Sequence, residues 1–361
     1  MPTRRKFIED TAGAMAGIAF TGCSLLDAEP ARAQAMPAGR RREVVVAGRR
    51  ARVIDVHAHC VIPEAQTLQG LPVSNPNGPG IEEVGARRIR EMEEQGIDME
   101  ALSINPSWYR TERDLATQVI KIQNEALAQI CATYPDRFVA FASLALQYPD
   151  LAVQQLTEGV KKLGLRGAAI GGSVAGVDFS DPKFHPVWAK AEELGVLLFI
   201  HPQSTPQLAD RFKGNGWLSN TIGNPLDTTI ALSHLIFDGT LDRFPGLKVC
   251  AAHGGGYLPS YAPRSDNSCR VNPGQCNPAI VLKKKPTEYL RSMYFDSLIF
   301  TSEALRHLAA EVGSSQIVLG TDHPIPWQDK GVDHILNTSS LTDAEKVAIL
   351  GGTAAKLLGI K

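Results

Sequence analysis

The sequence of 361 residues predicts an α/β protein with a (β/α)₈ barrel. From residue 50 onward, short apolar runs alternate with longer segments whose apolar residues recur at helical spacing. The apolar runs are nearly continuous, which is typical of parallel strands that are buried on both faces. There are eight of these runs, and eight strand–helix repeats form a barrel of this type.

The eight predicted strands share a short apolar core that is followed by polar or small residues. They are residues 52–58, 99–105, 138–144, 166–172, 196–202, 248–254, 293–299 and 316–322. Six segments between them have apolar residues three or four positions apart, as in an amphipathic helix. They are residues 86–95, 115–134, 151–163, 185–194, 227–237 and 302–312.

Composition favours one large catalytic domain that acts on a small molecule. With 43% hydrophobic and 21% charged residues, the chain can bury a large core and has no bias towards disorder. A formal net charge of −1 gives no electrostatic reason to expect nucleic acid or an anionic membrane as a partner. We therefore expect a small-molecule substrate, no nucleic acid and no membrane span in the mature chain.

The first 35 residues are typical of an export signal and are set apart from the fold. Arg4 and Arg5 precede an apolar stretch and then small residues suited to signal peptidase, a pattern that resembles a twin-arginine signal. This predicts cleavage after residues 1–35, a periplasmic location, a linker or short strand at residues 36–51, and a catalytic domain at residues 52–361. The alternatives are a disordered basic N-terminus and, below simple cleavage, lipid attachment at Cys23.

Histidines cluster at the predicted carboxyl ends of the strands, where a barrel of this type builds its site. His57 and His59 end the first strand and point to one face, because side chains two apart on a strand share a face. His201, His253 and Asp322 end three later strands. A single histidine there is more often a hydrogen-bonded core residue, but this combination indicates one divalent metal ion, zinc before manganese.

Four motifs resemble the amidohydrolase superfamily in its amidohydrolase-2 branch. They are DxHxH at residues 55–59, HP at 201–202, AHGGG at 252–256 and LGTDHP at 319–324. Residues 88–98, 134–147 and 223–264 are similar to the aminocarboxymuconate semialdehyde decarboxylase family. The resemblance thus covers nearly all of residues 52–361.

This resemblance implies a role for each motif residue. The metal ligands would be His57, His59, His201 and Asp322, and Asp322 would also be catalytic. His253 would stand beside the metal as general base and later acid. Arg264 would reach the site of a neighbouring subunit and pair with a substrate carboxylate, which implies at least a homodimer.

Other positions are open to two interpretations. Trp217 matches an aromatic wall of the family's pocket or is a packing residue, and Arg264 could be only an exposed charge. We expect Asp55 to orient the histidine pair from below. His323 either contacts the metal region or packs under its loop. Cys269 and Cys276 flank a loop and could form a disulfide in the periplasm.

Substrate binding departs from the family at residues 68–85, a segment that is shorter than the decarboxylase insert and contains no arginine. The substrate is therefore expected to carry fewer carboxylates. The predicted activity is non-oxidative decarboxylation of an aromatic or unsaturated acid. The alternative is hydrolysis of a small amide, lactone or ring-cleavage ketone by metal-bound hydroxide. A non-catalytic binding protein is a third reading, which the full ligand set disfavours.

Overall fold

The computed structural model describes residues 41–73 and 84–361. A short antiparallel hairpin, β1 (Val45–Val46) and β2 (Arg49–Arg50), precedes the barrel. The barrel strands follow in chain order: β3 (Ile54–His59), β4 (Met99–Ser103), β5 (Phe138–Ala140), β6 (Gly167–Ile170), β7 (Leu197–Ile200), β8 (Lys248–Ala251), β9 (Tyr294–Asp296) and β10 (Ile317–Val318). All eight predicted strands are present. The signal peptide predicted at residues 1–35, with Cys23, lies outside the described residues, as do residues 74–83 of the segment 68–85.

The eight strands close into a parallel barrel. Two runs of paired strands, β3–β4–β5 and β6–β7–β8–β9–β10, account for six of the contacts between neighbours. Isolated parallel bridges complete the ring, between Ala142 and Ala168 on one side and between Asp55 and Leu319 on the other. This confirms the predicted (β/α)₈ fold and brings all carboxyl ends of the strands to one rim.

Helices surround the barrel and cover its outer face. The longer ones are Ala86–Gln95, Arg113–Thr133, Pro149–Lys161, His185–Leu194, Gly223–Phe237, Leu258–Ser265, Ser302–Val312 and Gly331–Asn337. Shorter helices are Pro63–Leu68, Leu218–Thr221, Thr240–Arg243, Ser268–Val271, Pro286–Leu290, Asp343–Val347 and Thr353–Leu358. None of the helices in the described ranges combines the length and the apolar character needed to cross a bilayer.

Local sequence signals set the helix ends. Ser302–Val312 begins where the side chain of Thr301 accepts a hydrogen bond from the backbone N–H of Ala304 at 3.1 Å. Ala86–Gln95 and His185–Leu194 end at Gly96 and Gly195, whose φ values of 80° and 64° suit glycine. The helices therefore stop where the next strand must begin.

Two apolar layers hold the barrel together. Val56, Ala101, Phe141 and Phe199 are buried inside the ring of strands, and Phe141 stacks on Phe199 with ring centroids 5.8 Å apart. A second, larger cluster lies between strands and helices and includes Trp188. The inner layer forms a packed floor beneath the rim, so the polar residues at the strand ends lie on a rigid base.

Candidate metal centre and active site

The structure brings together the four predicted ligands His57, His59, His201 and Asp322. Their candidate ligand atoms all lie within 4.8 Å of one another, and all four side chains are buried. His57 and His59 come from β3, His201 follows β7, and Asp322 follows β10. Phe199 supports the cluster from below, with its ring centroid 5.1 Å from that of His57.

The hydrogen bonds of His57 fix which ring nitrogen carries the proton. His57 Nδ1 lies 2.6 Å from Asp296 Oδ2, and both side chains are fully buried. Burial acts to raise the pKa of Asp296, yet the hydrogen bond from His57 lowers it, so this carboxyl is ionised. A carboxylate can only accept, so His57 donates from Nδ1, and Nε2 is the ring nitrogen left for a metal ion.

His59 is held in the same tautomer by a hydroxyl group. Ser103 Oγ donates to the carbonyl oxygen of Ala58 at 3.1 Å, and it lies 3.0 Å from His59 Nδ1. Because the hydroxyl proton is already used, His59 donates from Nδ1 to Ser103. His59 Nε2 therefore presents a lone pair to the centre of the cluster.

A carboxylate oxygen completes this group of acceptors. Asp322 Oδ1 lies 2.7 Å from His59 Nε2 and 3.1 Å from His57 Nε2 and is buried with no hydrogen bond from the described residues. Burial acts to raise the pKa of Asp322, but the adjacent His57 holds this pKa well below its ordinary value. Burial acts to lower the pKa of His57, but Asp322 and Asp296 raise it to about 10, so without an ion this ring carries a second proton. Metal binding would release that proton, and the ligand types fit one divalent metal ion.

His201 adds a third neutral imidazole. Its ring centroid is 4.5 Å from that of His59, and burial, together with the neighbouring imidazoles, lowers the pKa of His201 well below its ordinary value. A neutral imidazole is the form that binds metals. Three imidazoles and one carboxylate match the ligand types of a catalytic divalent site.

His253 lies beside the ligand group but outside it. Its ring centroid is 5.2 Å from that of His57 and 5.3 Å from that of His201, and its Nδ1 has no hydrogen-bond partner among the described residues. Burial, with a smaller contribution from His57, lowers the pKa of His253 to about 4. The ring is therefore neutral near pH 7 and able to accept a proton.

Backbone strain is concentrated around this site. His253 has φ 56°, Asp322 has φ 67°, and Trp217 has φ 49°, a left-handed conformation that few residues other than glycine adopt. β10 ends at Val318 although the apolar pattern predicts a strand through residue 322, and beyond it Leu319 and His323 form only isolated parallel bridges to β3. Strained residues persist where the surrounding contacts fix them, which is common at catalytic sites.

Asp55 holds the backbone rather than an imidazole ring, contrary to our expectation. Its carboxylate accepts hydrogen bonds from the backbone N–H of His57 at 2.9 Å and of Thr321 at 3.2 Å, and from the Thr321 hydroxyl. The ring of His57 is oriented by Asp296 instead. Asp55 therefore links the first and last strands below the ligands.

His323 points away from the ligands and belongs to a separate buried ion cluster. Its Nδ1 lies 2.6 Å from Glu100 Oε1 and its Nε2 lies 3.1 Å from Glu91 Oε2. Arg88 binds Glu100 at 2.6 Å and also donates to the carbonyl oxygen of His59 at 2.6 Å. The cluster ties the helix Ala86–Gln95 to the end of β3, and His323 makes no contribution to the metal centre.

Two cavities open above the ligands at the barrel rim. The first, which we call the metal lobe, has a volume of about 680 Å³ and includes His201, Asp322, Trp217 and Trp327 in its wall. The second, the outer lobe, has a volume of about 260 Å³ and includes His253 and Trp327. The metal lobe is within the size range of small-molecule sites, about 300 to 1,000 Å³, and the outer lobe is slightly smaller than that range.

The two predicted substrate-binding residues occupy different places. Trp217 lies in the wall of the metal lobe, 58% exposed, and stacks on Trp327 with centroids 5.7 Å apart. Arg264 is exposed on the helix Leu258–Ser265 and lines neither lobe. The site of a single chain thus contains Trp217 but not Arg264.

Asp296, Arg88 and Glu100 are absent from the residues selected on sequence. Asp296 ends β9 in the structure, but the predicted strand ran over residues 293–299 and placed it in the middle, so the rule that selected Asp322 passed over it. Arg88 and Glu100 lie 12 positions apart in a helix and a strand, and no local pattern marks them as partners. Their pairing depends on the packing of that helix on β4.

The fold and this site together define a barrel enzyme with a single divalent metal centre. The amidohydrolase family model matches residues 54–360. The chain therefore belongs to the amidohydrolase family, in the amidohydrolase-2 branch, as its motifs predict.

Several decarboxylases are similar to the chain. A 2-amino-3-carboxymuconate-6-semialdehyde decarboxylase from Dictyostelium discoideum is 33% identical over 276 residues, which are 76% of each protein. A gamma-resorcylate decarboxylase from Rhodococcus jostii is 30% identical over 75% of this chain and 86% of its own length. A dihydroxybenzoic acid decarboxylase from Polaromonas sp. JS666, solved with manganese and the inhibitor 2-nitroresorcinol, has a TM-score of 0.75 and 26% identity over 86% of this chain and 97% of its own. These relatives are carboxy-lyases, in agreement with the predicted activity.

Proposed function

We propose that the protein is a metal-dependent non-oxidative decarboxylase of an aromatic or unsaturated carboxylic acid. The observation that carries this proposal is the position of His253, which lines a cavity next to the ligand group without belonging to that group. An imidazole in this position can move a proton to or from a substrate that the metal site holds in place. The activities of the related decarboxylases support the same assignment.

The chemistry divides between the ligand group and His253. When bound, the divalent ion supplies a positive charge that orients the substrate and stabilises negative charge developing on its oxygens. His253 passes a proton from solvent to the ring or alkene carbon that carries the carboxylate. The bond between that carbon and the carboxylate then breaks, its electron pair restores the double bond that the proton consumed, and carbon dioxide leaves. The net change is replacement of the carboxylate by a proton.

Zinc is the proposed ion. Three imidazoles and one carboxylate are the ligand types that zinc prefers, whereas manganese prefers sites richer in oxygen. The Polaromonas decarboxylase was solved with manganese, so both ions should be tested. Chelated enzyme would be reloaded with either ion, and higher turnover with manganese would reject zinc.

Decarboxylation is tested by product analysis in ¹⁸O-labelled water. The metal-loaded enzyme would be incubated with hydroxybenzoates, muconate semialdehyde-type acids, lactones and N-acyl compounds, followed by mass spectrometry. Loss of 44 mass units without label in the organic product supports the proposal. Labelled oxygen in a newly formed carboxylate would instead identify a hydrolase.

A homodimer in which Arg264 reaches the partner's site is also proposed. Tyr257, Tyr261 and Arg264 lie three or four positions apart at and within one helix and are exposed, and Tyr257 lines the outer lobe. This face leads from the cavity towards the surface, where a second copy could pack. Mixed oligomers of Arg264→Ala and His253→Ala chains should recover activity, and no recovery would mean that each site is complete within one chain.

Periplasmic location through a twin-arginine signal is the remaining proposal. The disulfide between Cys269 and Cys276 supports it, because exposed structural disulfides persist in oxidising compartments. A reporter fused to residues 1–35 should be exported, and Arg4→Lys with Arg5→Lys should block export. Export that survives this double substitution would exclude the twin-arginine route.

A further inference from the structure

The metal lobe and the outer lobe adjoin each other at the barrel rim. Asn220, Asn224 and Trp327 line both of them. The ligands His201 and Asp322 line the metal lobe, and His253 lines the outer lobe. A substrate bound between the ligands and His253 therefore has the outer lobe directly beside it.

The outer lobe is predominantly apolar. Its wall includes Tyr257, Leu298, Ile299 and Phe300, and none of its described lining residues is a lysine or an arginine. Phe300 is 61% exposed and lies 6.5 Å from the ring of Trp327, which in turn stacks on Trp217. A large aromatic side chain left open beside a reaction site is a surface that an apolar ligand group can cover.

The metal lobe has a different lining. Neutral amides and hydroxyls, such as those of Asn105, Gln203 and Ser219, surround the ligands together with aromatic and proline side chains. Such groups hydrogen-bond to ring hydroxyls without requiring charge on them. Both lobes are mainly apolar, and the metal lobe is distinguished by the polar groups that it places next to the metal ligands.

We propose that the outer lobe binds an apolar alkyl or aryl substituent of the substrate. The preferred substrate is then an aromatic acid whose ring lies in the metal lobe, with a substituent that passes Trp327 and covers Phe300. This inference rests on the proposed decarboxylase function and narrows its substrate class. A cavity of about 260 Å³ accommodates a short alkyl chain or one further ring.

Nitro compounds that cannot lose carbon dioxide separate binding from turnover. The probes are 2-nitroresorcinol and its butyl, phenyl and 3-carboxypropyl derivatives, each substituted at ring position 4 or 5. Affinities are measured by calorimetry on the metal-loaded full chain. Each buried methylene tightens binding about fourfold, so a butyl group at one of the two positions should tighten it at least tenfold over 2-nitroresorcinol.

Phe300→Asp tests the location, because it places a charge in the lobe at a largely exposed position. Val281→Asp is the matched control, since Val281 is 83% exposed and lines neither lobe. The butyl-to-parent affinity ratio should fall below threefold in Phe300→Asp, remain above tenfold in Val281→Asp, and recover in Phe300→Leu.

Three results would overturn the inference. They are a wild-type butyl-to-parent ratio near one at both ring positions, an equal ratio in Phe300→Asp and Val281→Asp, or tighter binding of the carboxypropyl probe than of the butyl probe. If the carboxypropyl probe binds more tightly in the wild type and this preference disappears in Arg264→Ala, an arginine of the partner subunit occupies the lobe. If the butyl group tightens binding but the corresponding acids are not turned over, the decarboxylase function alone is refuted. If the acids are turned over but the butyl group does not tighten binding, this inference alone is refuted.

Discussion

Replacing Asp296 with asparagine removes the charge that orients His57 while it preserves the shape of the side chain. Asp296 Oδ2 accepts from His57 Nδ1 at 2.6 Å, and Oδ1 accepts from the backbone N–H groups of Gly254 at 2.9 Å and Leu298 at 3.1 Å. An amide has one acceptor atom and one donor atom, so in either orientation a donor faces a donor. The substitution therefore satisfies both sides only if His57 gives up its proton at Nδ1.

The size of the effect follows from burial and geometry. Asp296 and His57 are 0% exposed, so solvent cannot replace the lost interaction. If the amide nitrogen faces His57, the imidazole proton moves to Nε2, which is the atom that faces the other ligands. Loss of such a partner typically weakens metal binding about 10- to 100-fold, or about 1.4 to 2.7 kcal/mol.

The assay is competition for the metal between the enzyme and a chromogenic chelator, with metal content measured by elemental analysis. Asp150→Asn is the control, because this carboxylate is 63% exposed in a surface pair with Arg113 and should leave metal affinity unchanged. Metal affinity of Asp296→Asn within twofold of wild type would refute the argument that Asp296 sets the tautomer of His57.

Three further predictions concern single side chains. His57→Ala should lower metal content and activity together because it removes a ligand, and full metal occupancy by elemental analysis would contradict that role. His253→Ala should retain the ion and lose turnover in the decarboxylation assay, and loss of the ion would make His253 a ligand instead. Burial raises the pKa of Asp227 from 3.8 to about 6, so its protonated form stabilises the fold below pH 3.8 and this contribution is lost as the pH rises to about 6. Asp227→Asn should therefore gain urea stability relative to wild type from about pH 4 to 6, and a constant difference would show that Asp227 has an ordinary pKa.

Spacing along strands made much of this molecule predictable from its sequence. His57 and His59 share a face because the strand period is two, and a parallel barrel gathers them with His201 and Asp322 at one rim. The apolar runs located all eight strands because parallel barrel strands are buried on both faces. These inferences need only local periodicity and the rule that strand ends meet.

Contacts between distant elements were beyond such reasoning. Asp55 was expected to orient an imidazole because it shares the DxHxH motif, yet its carboxylate accepts from backbone N–H groups of β3 and of the segment that follows β10. His323 follows a ligand directly but faces Glu100 on the outside of the barrel. In both cases the decisive partner is more than 200 positions away, and its position depends on how the barrel closes.

The barrel closes where β10 meets β3, and this junction, which we call the seam, lies at the metal centre. Three backbone hydrogen bonds cross it, from the N–H of Val56 to Leu319, of Asp322 to His57 and of His59 to His323. The metal ligands His57 and His59 lie on one side of it, and Asp322 lies on the other. Asp55 and Thr321, which are hydrogen-bonded across this seam, are 266 positions apart. A nascent chain therefore has no complete ligand group until almost its whole length has left the ribosome and the ring has closed. Metal acquisition is then a late step of biosynthesis. An ion bound by residues on both sides of the seam would also stabilise the closed barrel against opening there.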